Sequence, residues 1–322
     1  MEFIRKPLVI IPVVILLLLV LIGWYWSVEP DVVAIEPPAA NTQAIVGVAT
    51  TQMLIKTTET LLYKSGGYLS NDKLPPSVMM DNIPNWEFGV LQQIRDLAKA
   101  MRNDYSRSQT QSEADADLEV AEPKFNVDSG AWVFPSAEGE YKEGIKAMRK
   151  YLDRLADPTQ QNAQFYARAD NLNEWLSLVE KRLGSLSQRL SKARPQVRVN
   201  TDLAGDANAQ QSTRTDSEIV TQTSWFKIDD NFYEARGTSW ALIHYLKAAE
   251  VDFGPVLRDK NATPTLRQII RELEATQQDI SSPMILNGNG LGMFANHSLV
   301  MSSYIARANS AIADLRRLLD DG

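Results

Sequence analysis

An all-α fold is predicted: one N-terminal transmembrane helix, then a multi-helix bundle with long antiparallel helices. Three observations predict it. The first is an uncharged apolar run, Pro7 to Trp26 (PLVIIPVVILLLLVLIGWYW), in which fourteen residues are Leu, Ile or Val. The second is a seam of apolar residues spaced alternately four and three apart, Phe165, Ala169, Leu172, Leu176, Val179, Leu183, Leu186 and Leu190. The third is the return of helical spacing in several further stretches, each bounded by Gly, Pro or capping residues.

The apolar run is long enough for one membrane span, since about twenty helical residues cover about 30 Å. Its aliphatic residues favour the bilayer by about 4 to 8 kcal/mol on an insertion scale. Arg5 and Lys6 precede it, Glu29 and Asp31 follow it, and Trp24, Tyr25 and Trp26 fit an outer aromatic belt. Positive residues stay on the cytoplasmic side, so residues 1–6 read as a cytoplasmic tail, 7–28 as the span and the rest as the outer part. A cleaved signal fits less well. The run exceeds the usual apolar core, and bulky Trp-Tyr-Trp stands where small residues precede cleavage. With so short a tail, any signal would have to pass sideways through other membrane proteins.

Of 33 basic and 40 acidic residues, removing Arg5, Lys6 and Glu2 leaves 31 and 39, a net −8 beyond the span. An acidic domain with no basic aromatic patch is a poor partner for nucleic acid, and an equally poor electrostatic binder of a membrane surface. The chain has no cysteine, which excludes disulfides, thiol nucleophiles and thiolate metal sites.

Taken in order, residues 29–42 carry three prolines and read as an extended spacer that lifts the domain off the bilayer. Helical region 1 spans 43–193. Its first helix runs from Gln43 to Ser65 and stops at Gly66-Gly67; a second runs from about Pro84 to Tyr105. Residues 106–123 read as a solvated acidic loop or a fraying helix end, the loop being the plainer reading, and a helix follows from Ser136 to Leu155 with Glu138 and Glu140 in its first turn. The seam places a helix over Thr159 to Ala193. It pairs either with a second copy, giving a homo-oligomer, or with neighbouring helices of the same chain, which is the simpler reading.

Residues 194–223 read as a polar linker or loop, and 224–322 as helical region 2. There Asp229 and Asp230 stand at an N-cap position of a helix reaching Glu250, and Asp252 to Ala262 is a loop. Thr263-Pro264 opens a helix to Asp279, a glycine-rich turn spans Ser281 to Gly292, and a last helix covers Phe294 to Leu319. Trp132, Gly144 and Tyr151 echo the spacing of Trp225, Gly237 and Tyr245 to within one residue, a weak sign of duplication.

The densest group of functional side chains is Trp225 to His244 (WFKIDDNFYEARGTSWALIH). Tyr233, Arg236, Gly237, Trp240 and His244 share one helical stripe, where Arg236 and His244 can meet an anion beside the Trp240 ring. Helix packing is the plainer explanation, with Gly237 at a crossing and Arg236 paired with Asp229 or Glu234. Asp229, Asp230 and Glu234 are the only acids suggestive of hydrolysis here, and adjacent acids at a helix start are more often caps.

Asn287 to Phe294 (NGNGLGMF) lacks the order of a phosphate loop, and His244 and His297, the two histidines, have no clustered carboxylates to suggest a metal. No cofactor motif is present in the sequence.

The stretch from Trp225 to Gly237, with Gly66-Gly67-Tyr-Leu-Ser-Asn, the region from Trp132 and the basic N-terminus before one apolar run, resembles a family of bacterial envelope proteins, domain of unknown function 2333. The resemblance covers nearly the whole chain and implies a Gram-negative inner-membrane protein. It carries no catalytic residues. An envelope interaction or scaffolding module with a protein partner is therefore expected, with a periplasmic ligand-binding module and an envelope hydrolase as alternatives.

Overall fold

In the computed structural model, the bundle is built around α7 (Ile228–Asp252), which is buried on almost every side: Phe232, Ala235, Trp240, Leu242, Ile243, Tyr245 and Leu246 point in different directions, and all are in the core. A helix that is buried all round must be central. The structure describes residues 5–33, 45–109, 111–157, 159–160, 162–200, 218–282, 284–290 and 293–321, with side chains from Ile10 onward. Those residues are mostly helical, in keeping with the expected all-α class.

Around α7 lie α2 (Val48–Tyr63), α3 (Asn82–Ala100), α6 (Ala169–Ser191), α9 (Thr263–Ala275) and α10 (His297–Asp320). α4 (Ala116–Phe125) and α5 (Ala137–Ala156) form an outer pair against α2 and α3. The core runs without a break from Met53 to Leu319, so the two expected helical regions share it.

The tightest crossing is α3 on α7. A Cβ at Gly237 would collide with the Trp86 carbonyl oxygen, and one at Gly89 with the Glu234 carbonyl oxygen. Two glycines facing two backbones allow the helices to touch, and the Trp86 and Trp240 rings pack beside them with centroids 5.2 Å apart. α2 runs antiparallel to α7. The Asp252 carboxylate accepts the Thr50 N–H at 2.7 Å at the start of α2, where the helix dipole favours an anion, and Thr57 Oγ1 meets Tyr245 Oη at 2.6 Å further along. The helical seam packs within the chain: α6 lies antiparallel to α10, with Ser187 and Ser302 bonded and Arg316 reaching Asn173 and Glu180.

Several expectations need correction. The seam helix is shorter than Thr159–Ala193, beginning at Ala169. Phe165 leaves the helical path and instead packs against Tyr105 and Phe253. The acidic stretch 106–123 holds α4, because Leu118, Ala121 and Phe125 share one face and Asp115 caps the start by accepting the Asp117 N–H at 2.9 Å. The helix ending at Tyr105 closes with one π-helical turn, 101–105. Within Asp252–Ala262 there is a short helix, α8 (Gly254–Asp259).

The linker contributes an antiparallel two-stranded ribbon, β1 (Gln196–Val199) and β2 (Glu218–Thr221); residues 201–217 lie outside the described residues, as do 34–42 of the expected spacer and 43–44 of helical region 1. Asp229 and Asp230 are not caps: Lys227 holds the N-cap position, and both acids fall in the first turn of α7. Asn296, not Phe294, opens the last helix, accepting the Leu299 N–H at 2.9 Å.

α1 (Arg5–Trp26) is helical throughout and leaves the bundle. From Ile10 to Trp26 only Leu19, Gly23 and Trp26 are half-buried, one i, i+4, i+7 stripe; the other positions are exposed. Among the described residues no helix is long and apolar enough to cross a membrane, so those residues lend the expected span no direct support.

The α3–α7 crossing makes a specific prediction. Gly237→Ala should destabilise the protein by about 1–3 kcal/mol, because neither backbone can retreat. Gly184→Ala, where the nearest atom to a new Cβ is Asn309 Nδ2 at 3.5 Å, should be neutral or stabilising by up to about 1 kcal/mol. Urea unfolding of both variants measures the contrast.

Candidate functional site

The α7 stripe is brought together as expected, but its ligand is the protein's own chain. Residues 29–33, which follow α1, lie along the stripe. Arg236 Nε donates to both Glu29 carboxylate oxygens at 3.0 and 2.8 Å, and its Nη2 lies 2.7 Å from Oε2. Its Nη1 donates to the carbonyls of Thr276 at 3.1 Å and Gln278 at 2.9 Å. One turn on, Trp240 Nε1–H donates to the Asp31 carbonyl at 3.1 Å. One further turn on, His244 Nε2 accepts the Val33 N–H at 2.9 Å. Three side chains spaced four apart thus hold alternate residues of an extended segment, the match of a helical repeat to a strand-like one.

His244 is fully buried and fixed in one tautomer. Its Nδ1–H donates to the Trp240 carbonyl at 2.7 Å, which leaves Nε2 as the acceptor that Val33 uses. Burial, opposed by the hydrogen bond to the Trp240 carbonyl and helped by the Lys247 and Lys56 charges, pushes its pKa down to about 4. The imidazole is therefore neutral at pH 7 and acts as a hydrogen-bond bridge, not as a cation for an anionic ligand.

The same end of the bundle also grips α1. The Trp26 ring lies over Gly66, where a Cβ would come within 2.6 Å of Trp26 Cγ; Gly66 adopts φ +82, which favours glycine in any case. Gly23 faces Pro76, with its Cβ position 3.6 Å from Pro76 Cβ. The loop carrying Gly66 is pinned by a buried carboxylate. Glu87 accepts the N–H groups of Leu69 and Ser70 at 2.9 and 2.8 Å and meets Lys64 Nζ at 2.6 Å. Burial raises the Glu87 pKa, and the Lys64 charge works against that rise.

The acids singled out in the sequence are committed separately. Glu234 forms a two-pronged pair with Arg189 at 2.6 and 2.5 Å, not with Arg236. Asp230 accepts the Asn85 amide at 2.8 Å, and burial raises its pKa, with the Asp229 charge adding to the rise. Asp229 borders a small recess with Trp225 and Met284. Trp225 is exposed, and Tyr233 is half-buried against Phe232 and the 27–32 segment. Gly237 serves the helix crossing described above.

A cleft of about 500 Å³ opens beside the clamp, lined by Phe232, Arg236, Thr276, Leu286, His297 and Tyr304 among others. The Arg236 guanidinium is already spent on Glu29 and two carbonyls. His297 Nδ1 accepts the Leu286 N–H at 3.1 Å, and burial lowers its pKa. Among the described residues no group of His, Cys, Asp and Glu is placed to hold a metal ion.

Glu29, Asp31 and Val33 are the partners that the sequence left unassigned. The signal was an arginine on an otherwise apolar stripe, which demands an anion, but its partner lies 207 positions away.

His244 gives a pH prediction. Its folded pKa is depressed, so its contribution is complete above its ordinary value of 6.5 and is lost as pH falls toward about 4. Within that window the unfolded chain binds the extra proton, costing stability by up to about 1.4 kcal/mol per pH unit. His244→Gln, which cannot titrate, should show a shallower fall in urea stability between those limits than the natural protein.

Comparison with curated proteins and with solved structures gives no match. A family model described as an uncharacterized protein conserved in bacteria, domain of unknown function 2333, matches residues 3–322, and the chain belongs to that family.

Proposed function

We propose that the protein is a single-pass bacterial inner-membrane protein whose helical domain stands in the periplasm as an envelope interaction and scaffolding module. The observation that carries this reading is the clamp. The stripe with the most ligand-like chemistry is occupied by the segment that joins α1 to the bundle. Such an arrangement holds a domain in a fixed pose on its anchor, which is what a presenting scaffold requires.

The anchor reading has support of its own. α1 has 22 residues, and its described side chains are apolar and exposed around most of its circumference. In the sequence the uncharged run Pro7 to Trp26 has twenty residues, and twenty helical residues rise about 30 Å, one hydrocarbon core. No charge occurs between Lys6 and Glu29. An apolar helix that the bundle leaves uncovered needs another apolar medium, and lipid supplies it. Arg5 and Lys6 before the helix favour a cytoplasmic N-terminus.

A periplasmic ligand-binding module is the second reading, and the cleft beside Phe232, His297 and Tyr304 favours it. In that reading the ligand is largely apolar, since the cleft's arginine is already paired. The hydrolase reading lacks a free acid pair among Asp229, Asp230 and Glu234, two of which are held by Asn85 and Arg189.

In-cell crosslinking of the tagged full-length chain, followed by fractionation and mass spectrometry, tests the proposal. The expected result is a protein that stays with the inner membrane through a carbonate wash and crosslinks reproducibly to another envelope protein. Release by carbonate would contradict the anchor. Self-crosslinks alone would contradict the scaffold and point to the cleft.

A further inference from the structure

The exposed apolar side chains of the helical domain are unevenly placed. Phe134 is 97% exposed, Met293 95%, Phe226 84% and Met79 80%. Single exposed apolar side chains need no explanation, but several gathered at one end of a molecule mark a contact surface. All four sit at one end of the bundle, and hydrogen bonds and packing trace each of them to the place where α1 leaves it.

Met79 belongs to the loop whose Pro76 and Met80 pack on Gly23 of α1. Leu74 and Val78, from the same loop, are also exposed. Phe134 belongs to the loop that precedes α5. That loop is tied to the Gly66 region through Tyr68 Oη, which donates to the Ser129 carbonyl at 3.1 Å, and Asn71 Nδ2, which donates to the Ala131 carbonyl at 3.0 Å. Phe226 lies in the 3-10 turn, 225–227, that leads into α7, whose first turn bonds to Asn85 at the start of α3. Met293 follows the loop that Arg236 holds through Thr276 and Gln278, and the Asn287 amide ties that loop to the C-terminal end of α6 at Ala193. Near the start of α2 and the close of α10, at the opposite end, Ile45, Val46 and Leu318 are each less than half exposed.

We infer that this end of the bundle rests in the outer-leaflet interface of the bilayer that α1 crosses, with the Met79, Phe134, Phe226 and Met293 loops dipping among the lipid headgroups as a collar around the anchor. The inference rests on the anchor reading of α1. Its occupant is lipid because α1 enters the membrane from the same face, and because Trp24 and Tyr25, exposed at the end of α1, are the residue types that settle at that depth. The contact is apolar, so the acidic charge of the domain does not oppose it as it would a purely electrostatic one. The clamp on residues 29–33 gives it geometry: a domain tied to α7 within a few residues of the anchor cannot stand clear of the surface.

The natural chain has no cysteine, so single substitutions each give one labelling site. Met79→Cys, Phe134→Cys, Phe226→Cys and Met293→Cys would carry an environment-sensitive fluorophore in the full chain. The protein would be reconstituted in phosphatidylethanolamine–phosphatidylglycerol vesicles containing a lipid spin-labelled near its headgroup or, for Leu17 at mid-span, a lipid spin-labelled deep in its acyl chain. Val46→Cys and Leu318→Cys report the far end, and Leu17→Cys reports the anchor. All seven positions are exposed, so the label displaces no core residue, and circular dichroism checks the fold.

The expected result is lipid quenching several-fold stronger at the four collar positions than at Val46 and Leu318, with iodide quenching in the reverse order. If the collar positions behave like the far end while Leu17 is quenched by lipid, the collar is overturned and the anchor stands. If Leu17 is not quenched by lipid, both are overturned. Collar labels shielded from lipid and iodide alike would mean that a second copy covers the face, and would also overturn the inference.

Discussion

The structure depends on how the stripe on α7 is satisfied. Arg236, Trp240 and His244 each bring polar atoms into a buried position, and a buried polar group without a partner costs about 1–3 kcal/mol, more when it is charged. Glu29, the Asp31 carbonyl and the Val33 N–H supply those partners. The chain between anchor and bundle is therefore part of the domain's interior. Removing Glu29 would leave a guanidinium in a site only 9% open to solvent, a situation that costs about 3–5 kcal/mol in comparable buried pairs.

Two further features converge on that stripe. The Gly89–Gly237 crossing lets α3 approach α7 closely enough for Trp86 to support the Trp240 ring from one side, while His244 lies against it at 4.3 Å between centroids. Glu87, one residue from Trp86 on α3, pins the Gly66 loop on which Trp26 rests. Helix crossing, clamp and anchor seat are thus mechanically continuous over a few turns of α3 and α7. A function that needs a fixed domain pose at a surface gains from this arrangement; one that needs a free, swinging binding domain does not.

Much of the helix inventory was legible because periodicity is a local signal. α5, α7 and α10 follow from apolar spacing, and Ser136 caps α5 as its chemistry suggests, accepting the Gly139 N–H at 3.3 Å. The intrachain packing of the seam was also the simpler reading. What failed was contextual. α4 is short and acidic, and only Leu118, Ala121 and Phe125 meeting the core reveal it as a helix. Phe165 kept the seam's spacing but left the helix, drawn into an aromatic cluster with Tyr105 and Phe253 whose members are far apart in sequence. Of the stripe read from the sequence, Arg236, Trp240 and His244 hold residues 29–33, while Gly237 faces α3. The stripe's occupant was not legible, because prolines in residues 29–42 resemble a spacer, and nothing local links Val33 to His244 across 211 positions.

The measurement that bears most directly on the clamp is amide hydrogen exchange at Val33 in the full-length protein held in a lipid bilayer. This amide, donating to a buried imidazole, should exchange as slowly as the core amides of α7. Exchange at the rate of an open coil would show that residues 29–33 do not occupy the stripe and that the clamp does not exist.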